Sequence, residues 1–342
     1  MRANLSMHPA SYWKSVGKGK VQCVLCPNQC VIPPGGRGIC RVRANYNGKL
    51  YLLVYGRPCV VKVEPIEKQT FLHFLPGSKC LALGTAGCNL GCLYCQNWKF
   101  TMAMPEQVKS YNLSPQGVVA LARKYRLPVI SFTFNDPVVI AEYVLDTAKI
   151  ARRYGIRTVL VTGGYINPGP LKDLCRVVDA IKVDLKGFDK NFYRKVVKGE
   201  RDYVLRAMKV IRAEGVWLEV VNLVIPKQND HPRQVEALCK WVKVNLGRDT
   251  PLTFSRFWPN YKLKNLPPTP VSTLEKCRQI GYKVGLRYVY IGNVPGHPGQ
   301  HTYCPRCKRR IIRRAEFSVR EIRLKRGGRC AYCGYRIPGV WA

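Results

Sequence analysis

The chain has 342 residues, 46% of them hydrophobic, with 57 Lys+Arg against 20 Asp+Glu and a formal charge of +37. That apolar share can bury a full core, which excludes a disordered tail, and the length suits one large α/β domain or a barrel with small appended modules. No run of about 18 apolar residues occurs and Met1 to Lys20 has no apolar core segment, so neither a transmembrane helix nor an ordinary secretory signal is expected, and the expected location is the cytoplasm, with no membrane partner.

Sixteen cysteines without a signal peptide point to thiolate metal ligands in a reducing compartment rather than to disulfides. Residues 1–60 form a first, basic module, rich in Gly and Pro, with nine Lys/Arg and no acid. Its one apolar run, Leu50 to Tyr55, is a candidate strand. Its cysteines read Cys23-x2-Cys26-x3-Cys30-x9-Cys40. Four thiolates make a metal site, and zinc and a second [4Fe–4S] cluster both suit the spacing. Residues 61–79 read as a connector.

Residues 80–293 alternate between two patterns. Short apolar and β-branched runs predict strands at 80–85, 128–134, 157–162, 179–185, 216–224, 252–257 and 287–291. Helical patterns fall between them at 115–125, 137–154, 169–177, 200–214, 233–245 and 272–284. Nearly continuous apolar strands separated by helices predict parallel βαβ units buried on both faces. The expected fold is α/β, a partial (β/α) TIM-type barrel of six to seven strands, with an open doubly wound sheet as the alternative. Either architecture places function at the C-terminal ends of the strands. There the sequence carries Gly87-Cys88, Asn135-Asp136-Pro137, Thr162-Gly163-Gly164 and Asp184-Leu185-Lys186.

Residues 294–342 form a last, basic module. Cys304-x2-Cys307 and Cys330-x2-Cys333, separated by 22 residues, have zinc-ribbon spacing. Over residues 305–329 the net charge is +9. Arg309, Arg310, Arg313, Arg314, Arg323, Lys325 and Arg326 are the candidate nucleic-acid contacts, against the alternatives of a solvated charged face or a purely structural ribbon. The other five cysteines are scattered and read as small hydrophobes.

Cys88-x3-Cys92-x2-Cys95 follows the first barrel strand. Three thiolates on one short loop can bind three irons of a [4Fe–4S] cluster and leave the fourth iron open to a small ligand, with a structural zinc loop that borrows a fourth ligand elsewhere as the alternative. This motif, with Tyr94 just before the last cysteine, resembles the signature of the radical S-adenosylmethionine (SAM) superfamily. The wider chain resembles the radical SAM member of the AmmeMemoRadiSam system, a relative of pyruvate formate-lyase activating enzymes. The resemblance rests on Cys23 to Asn45, Pro65 to Lys68, His73 to Gly77, Gly87 to Trp98, Ile225-Pro226, Arg256 to Tyr261, Tyr288 to Asn293 and Thr302 to Trp341.

The resemblance implies Cys88, Cys92 and Cys95 as cluster ligands and a SAM site built from several segments. Backbone around Tyr94 would pack on the adenine. Asp136 would stand near the SAM amino group, one methylene shorter than the Glu of relatives. Thr162, Gly163 and Gly164 match a Thr-Asn-Gly segment with Gly in place of Asn. Asp184 and Lys186 match an Asp-x-Lys pair near the methionine carboxylate. The implied chemistry is reductive cleavage of SAM to a 5′-deoxyadenosyl radical that abstracts hydrogen from substrate, with electrons from a flavodoxin- or ferredoxin-type donor. RNA is the substrate class the charge favours. A protein glycine, as in glycyl-radical activases, is the alternative. The family resemblance adds Memo-like and AMMECR-type proteins as partners, and a scaffold-only, zinc-ribbon RNA-binding protein is the non-enzymatic alternative.

Overall fold

The structure is a computed structural model that describes residues 5–341. One sheet organises it, from eight strands: β1 (Val60–Pro65), β2 (Lys79–Gly84), β3 (Val129–Phe132), β4 (Arg157–Thr162), β5 (Ala180–Asp184), β6 (Trp217–Val224), β7 (Leu252–Arg256) and β8 (Val289–Gly292). Their spatial order follows the chain order, and β2 to β8 are parallel throughout. Helices α1 (Pro115–Lys124), α2 (Ala141–Arg153), α3 (Pro168–Cys175), α4 (Arg201–Ala213), α5 (Pro232–Leu246) and α6 (Val271–Val284) lie between the strands. The two edges, β1 and β8, do not pair, so the sheet is a partial (β/α) barrel, as the alternation predicts.

The local causes are plain. Strand β3 is Val-Ile-Ser-Phe and buried along its whole length, as a strand covered on both faces must be. Ser114 caps α1 by accepting from the Gly117 N–H at 3.2 Å, and Pro115 begins the helix where no N–H is needed. The sequence reading took residues 61–79 for a connector, yet β1 lies at its start, antiparallel to β2, with Val60 opposite Gly84 and Pro65 opposite Lys79. Its solvent-facing residues Lys62 and Val63 and its terminal Pro65 suit an edge strand.

Two buried cations attach the flanking modules. In the N-terminal module, Arg43 is 1% exposed and donates to the carbonyls of Val139, at 3.2 Å, and Ser11, at 3.1 Å. It also pairs with Glu142 of α2. In the C-terminal module, a hairpin of β9 (Arg310–Ala315) and β10 (Ser318–Ile322) carries Arg314, which is 3% exposed. Arg314 donates to the carbonyls of Leu72 at 2.6 Å and Gln300 at 3.1 Å, and to the Thr302 hydroxyl at 2.9 Å. Its Nε stands 3.7 Å from buried Glu67. Nearby, His73 contacts the Pro338 carbonyl at 2.7 Å and the Tyr290 hydroxyl at 2.6 Å. Glu219 at the start of β6 accepts the N–H groups of Leu72 and His73 at 2.8 and 2.9 Å. The last module thereby ties β8 to the segment that follows β1 across the barrel's open side. Among the described residues, no helix is long and apolar enough to cross a membrane.

Arg314 was expected at a nucleic-acid surface, and the structure corrects this: its guanidinium is a buried strut. Arg314→Ala leaves Glu67 buried without its cation, a loss of about 3–5 kcal/mol for a broken buried pair. The melting temperature of the metal-loaded protein should fall by several degrees, whereas Arg313→Ala, on the exposed neighbour, should leave it unchanged. Equal melting of both variants would contradict this assignment.

Candidate functional site

The loop that follows β2 has no regular structure of its own from Cys88 to Cys95, and side-chain amides fix it. Asn135, after β3, accepts the Thr85 N–H at 3.0 Å and donates to the Thr85 hydroxyl and the Gly87 carbonyl, both at 3.0 Å. Asn89 donates to the Tyr165 carbonyl at 2.7 Å. Asn97 donates to the Phe134 carbonyl at 2.6 Å. The N–H groups of Gly91 and Leu93 reach the carbonyls of Val197 and Val196 at 3.1 and 2.9 Å. Gly87 takes φ +84°, and a Cβ there would stand 2.4 Å from the Cys40 carbonyl oxygen, so glycine is required twice over.

Cys88, Cys92 and Cys95 face one cavity, together with Tyr94, Asp136, Thr162, Gly163, Asp184 and Lys186. The strand-end rule thus gathers nine of the residues singled out in the sequence around one space. Gly164 lies behind it. At φ +68° it turns the chain, and its N–H donates to the Thr162 hydroxyl at 2.9 Å. Asp136 accepts from the Thr162 hydroxyl at 2.7 Å and from the Gly163 N–H at 2.9 Å. Burial raises the Asp136 carboxyl despite these donors.

The sequence reading missed Lys182, two residues before Asp184 on the same face of β5. Its buried ammonium pairs with Asp184, which Lys186 approaches from the other side at 3.0 Å. Burial alone would raise the Asp184 carboxyl, but the two ammonium groups outweigh it and hold it at about 2. The triad carries a net positive charge into the cavity. Asn135 and Asn89 were also missed as loop clamps. Only the position of Asn135 after a strand hinted at its role.

The donor set fits an iron–sulfur cluster. Three thiols line one wall. Burial pushes the Cys92 thiol up to about 11 and also raises Cys88, so loading a metal must displace their protons. Gly163 lets its strand end approach the cysteine loop: a Cβ there would meet Leu90 at 2.8 Å and Asp136 at 3.1 Å. Three protein ligands would leave one iron of such a cluster without a side-chain ligand.

The two outer cysteine groups differ in geometry. The Sγ atoms of Cys304, Cys307, Cys330 and Cys333 all lie within 4.8 Å of one another. Cys304–Cys333 is 3.6 Å and Cys307–Cys330 is 3.8 Å, the edges of a tetrahedron around one ion with metal–sulfur bonds of about 2.3 Å. Cys23, Cys26, Cys30 and Cys40 line a separate pocket. Of the candidate nucleic-acid residues, Arg309, Arg310, Arg313, Arg323, Lys325 and Arg326 are exposed, and only Arg314 is buried.

Asn135→Ala removes three hydrogen bonds from the start of the loop, and each buried group left unpaired costs about 1–3 kcal/mol. The variant should stay folded by circular dichroism but hold less iron after anaerobic reconstitution. Iron content equal to that of the parent would contradict the clamp.

A family model described as the radical SAM superfamily matches residues 83–241. An uncharacterized protein of Methanocaldococcus jannaschii is 42% identical over 335 residues, covering 98% of this chain and 100% of that protein. The pyruvate formate-lyase 1-activating enzyme of Escherichia coli K12 is 23% identical over 228 residues, covering 58% of this chain and 88% of the enzyme. The crystal structure of Streptococcus suis SuiB bound to S-adenosylmethionine shares the fold, with a TM-score of 0.51 at 11% identity over 70% of this chain and 56% of that one. The cysteine loop at the end of β2, the partial barrel and these similarities agree: the chain belongs to the radical SAM superfamily and is related to pyruvate formate-lyase activating enzymes.

Proposed function

We propose that this radical SAM enzyme acts on RNA. The observation that carries the reading is Phe317, in the turn between β9 and β10. It is 38% exposed and lines the same cavity as Cys88, Cys92 and Cys95. A basic hairpin therefore reaches the reaction space with an aromatic ring at its tip. The same module exposes Arg309, Arg310, Arg313, Arg323, Lys325 and Arg326. The Arg309 guanidinium lies 4.9 Å over the exposed Tyr332 ring. Guanidinium groups for phosphates beside rings for bases are the means by which proteins hold unpaired RNA, and a base must leave its stack to reach an enclosed site.

The cluster and SAM, when bound, supply a one-electron cleavage that generates the 5′-deoxyadenosyl radical, and a flavodoxin- or ferredoxin-type protein is the proposed electron source. The chain's own residues bind and orient. Cys88, Cys92 and Cys95 hold the cluster. The Lys182–Asp184–Lys186 triad offers positive charge to the methionine carboxylate. Asp136, fixed by Thr162 and Gly163, would stand toward the SAM amino group. Zinc fits the compact cysteine tetrahedron of the last module, which braces a tail too short to fold by its own core.

The likeness to the activating enzymes supports a second reading, hydrogen abstraction from a protein glycine. The resemblance to the AmmeMemoRadiSam system further proposes Memo-like and AMMECR-type partners.

Fluorescence anisotropy with unfractionated tRNA separates the substrate classes. The parent should bind at 50 mM salt and weaken about 10³-fold at 200 mM if some six phosphates are neutralised. The variant with Arg309, Arg310, Arg313 and Arg323 changed to Glu should lose this binding with its metal content unchanged. No binding at 50 mM salt, or equal binding by the variant, would overturn the RNA reading in favour of a protein substrate.

A further inference from the structure

Cys23, Cys26, Cys30 and Cys40 come from two short strands and their loops, yet they line one small pocket, closed by Leu25 and Ile32. We infer that this pocket holds a second [4Fe–4S] cluster and not a zinc ion.

The protein carries its own yardstick. Around a single tetrahedral ion the four sulfurs must crowd together, as they do at Cys304, Cys307, Cys330 and Cys333. Among the described residues that is the one set of three or more His, Cys, Asp or Glu ligand atoms mutually within 4.8 Å. The N-terminal cysteines converge on a common pocket, but no three of their sulfurs lie mutually within 4.8 Å. The same is true of Cys88, Cys92 and Cys95, which share a wall and do not crowd. A cubane offers a separate iron to each thiolate, so its ligands sit wider than those of one zinc ion. Neither set is compact in the way that the C-terminal one is.

The surroundings agree. The donors are thiols alone, with no His or carboxylate among them. The Ile39 N–H donates to the Cys30 sulfur at 3.4 Å. The buried guanidinium of Arg43 belongs to the same pocket and gives anionic thiolates a fixed positive charge. The pocket also touches the central loop. Asn28 donates to the Asn89 carbonyl at 2.8 Å, and the Cys40 carbonyl packs against Gly87. A redox group here would stand one loop's thickness from the site of SAM cleavage.

The inference is independent of the RNA reading, and the full chain tests it. The parent, reconstituted anaerobically, should hold about eight irons, eight sulfides and one zinc. The variant with Cys88, Cys92 and Cys95 changed to Ala should retain about four irons and one zinc. On reduction with dithionite that variant should show the electron paramagnetic resonance signal of a reduced [4Fe–4S] cluster that SAM does not alter. If the variant fails to fold, the parent decides alone. A parent with about four irons and two zincs, or a variant with two zincs and no iron, would overturn the inference.

Discussion

Asparagine amides hold the three-cysteine loop where helix and strand cannot. A run with Gly at two positions and thiols at three has little propensity of its own, and its backbone groups need partners once buried. Asn135 ties its start to the end of β3, Asn89 ties its middle to the residues after β4, and Asn97 returns its end to Phe134. Asn28 reaches it from the first module. Two of these bonds lead to the end of β3, one to the residues after β4 and one to the first module. The cysteines thereby share one cavity with the Asp136 cradle after β3 and the Lys182–Asp184–Lys186 triad at the end of β5.

A barrel left open at one side needs that side covered. Here the cover is polar and buried. Arg314, Glu67, His73, Tyr290 and Thr302 join the last module to both edges of the gap. Such groups stabilise little beyond what an apolar contact would, but they punish misplacement heavily, because each lost partner leaves an unpaired buried group. The geometry they enforce has a functional consequence. With Arg314 pinned in β9, the turn that follows directs Phe317 into the catalytic cavity and leaves the other basic side chains in solvent. The strut and the interface are neighbours on one hairpin.

Much of this was legible in the sequence, for physical reasons. The seven parallel strands and the six helices α1 to α6 announce themselves by apolar runs and helical periodicity, because burial on both faces forces that pattern, whereas the short helices Trp98–Thr101 and Lys190–Phe192 do not. The three-cysteine loop was legible from spacing, and its place at a strand end followed from the fold. Strand β1 was not, since an edge strand tolerates Lys62, Glu64 and Pro65. Lys182 was hidden because a lysine in an apolar strand declares itself only when Asp184 and Lys186 are seen beside it. Asn135 and Asn89 act across elements, where spacing is silent. Arg314 was misplaced because a run of charge reads as surface, although alternation along β9 separates exposed Arg313 from buried Arg314.

The measurement that bears most directly on the central claim is anaerobic incubation of the reconstituted chain with SAM and dithionite, followed by quantification of 5′-deoxyadenosine. The account predicts that the parent forms it and that Cys92→Ala, which removes one ligand of the central cluster, does not, while the compact C-terminal cysteine site keeps its metal. Failure of the iron-loaded parent to form 5′-deoxyadenosine, or its undiminished formation by Cys92→Ala, would contradict it.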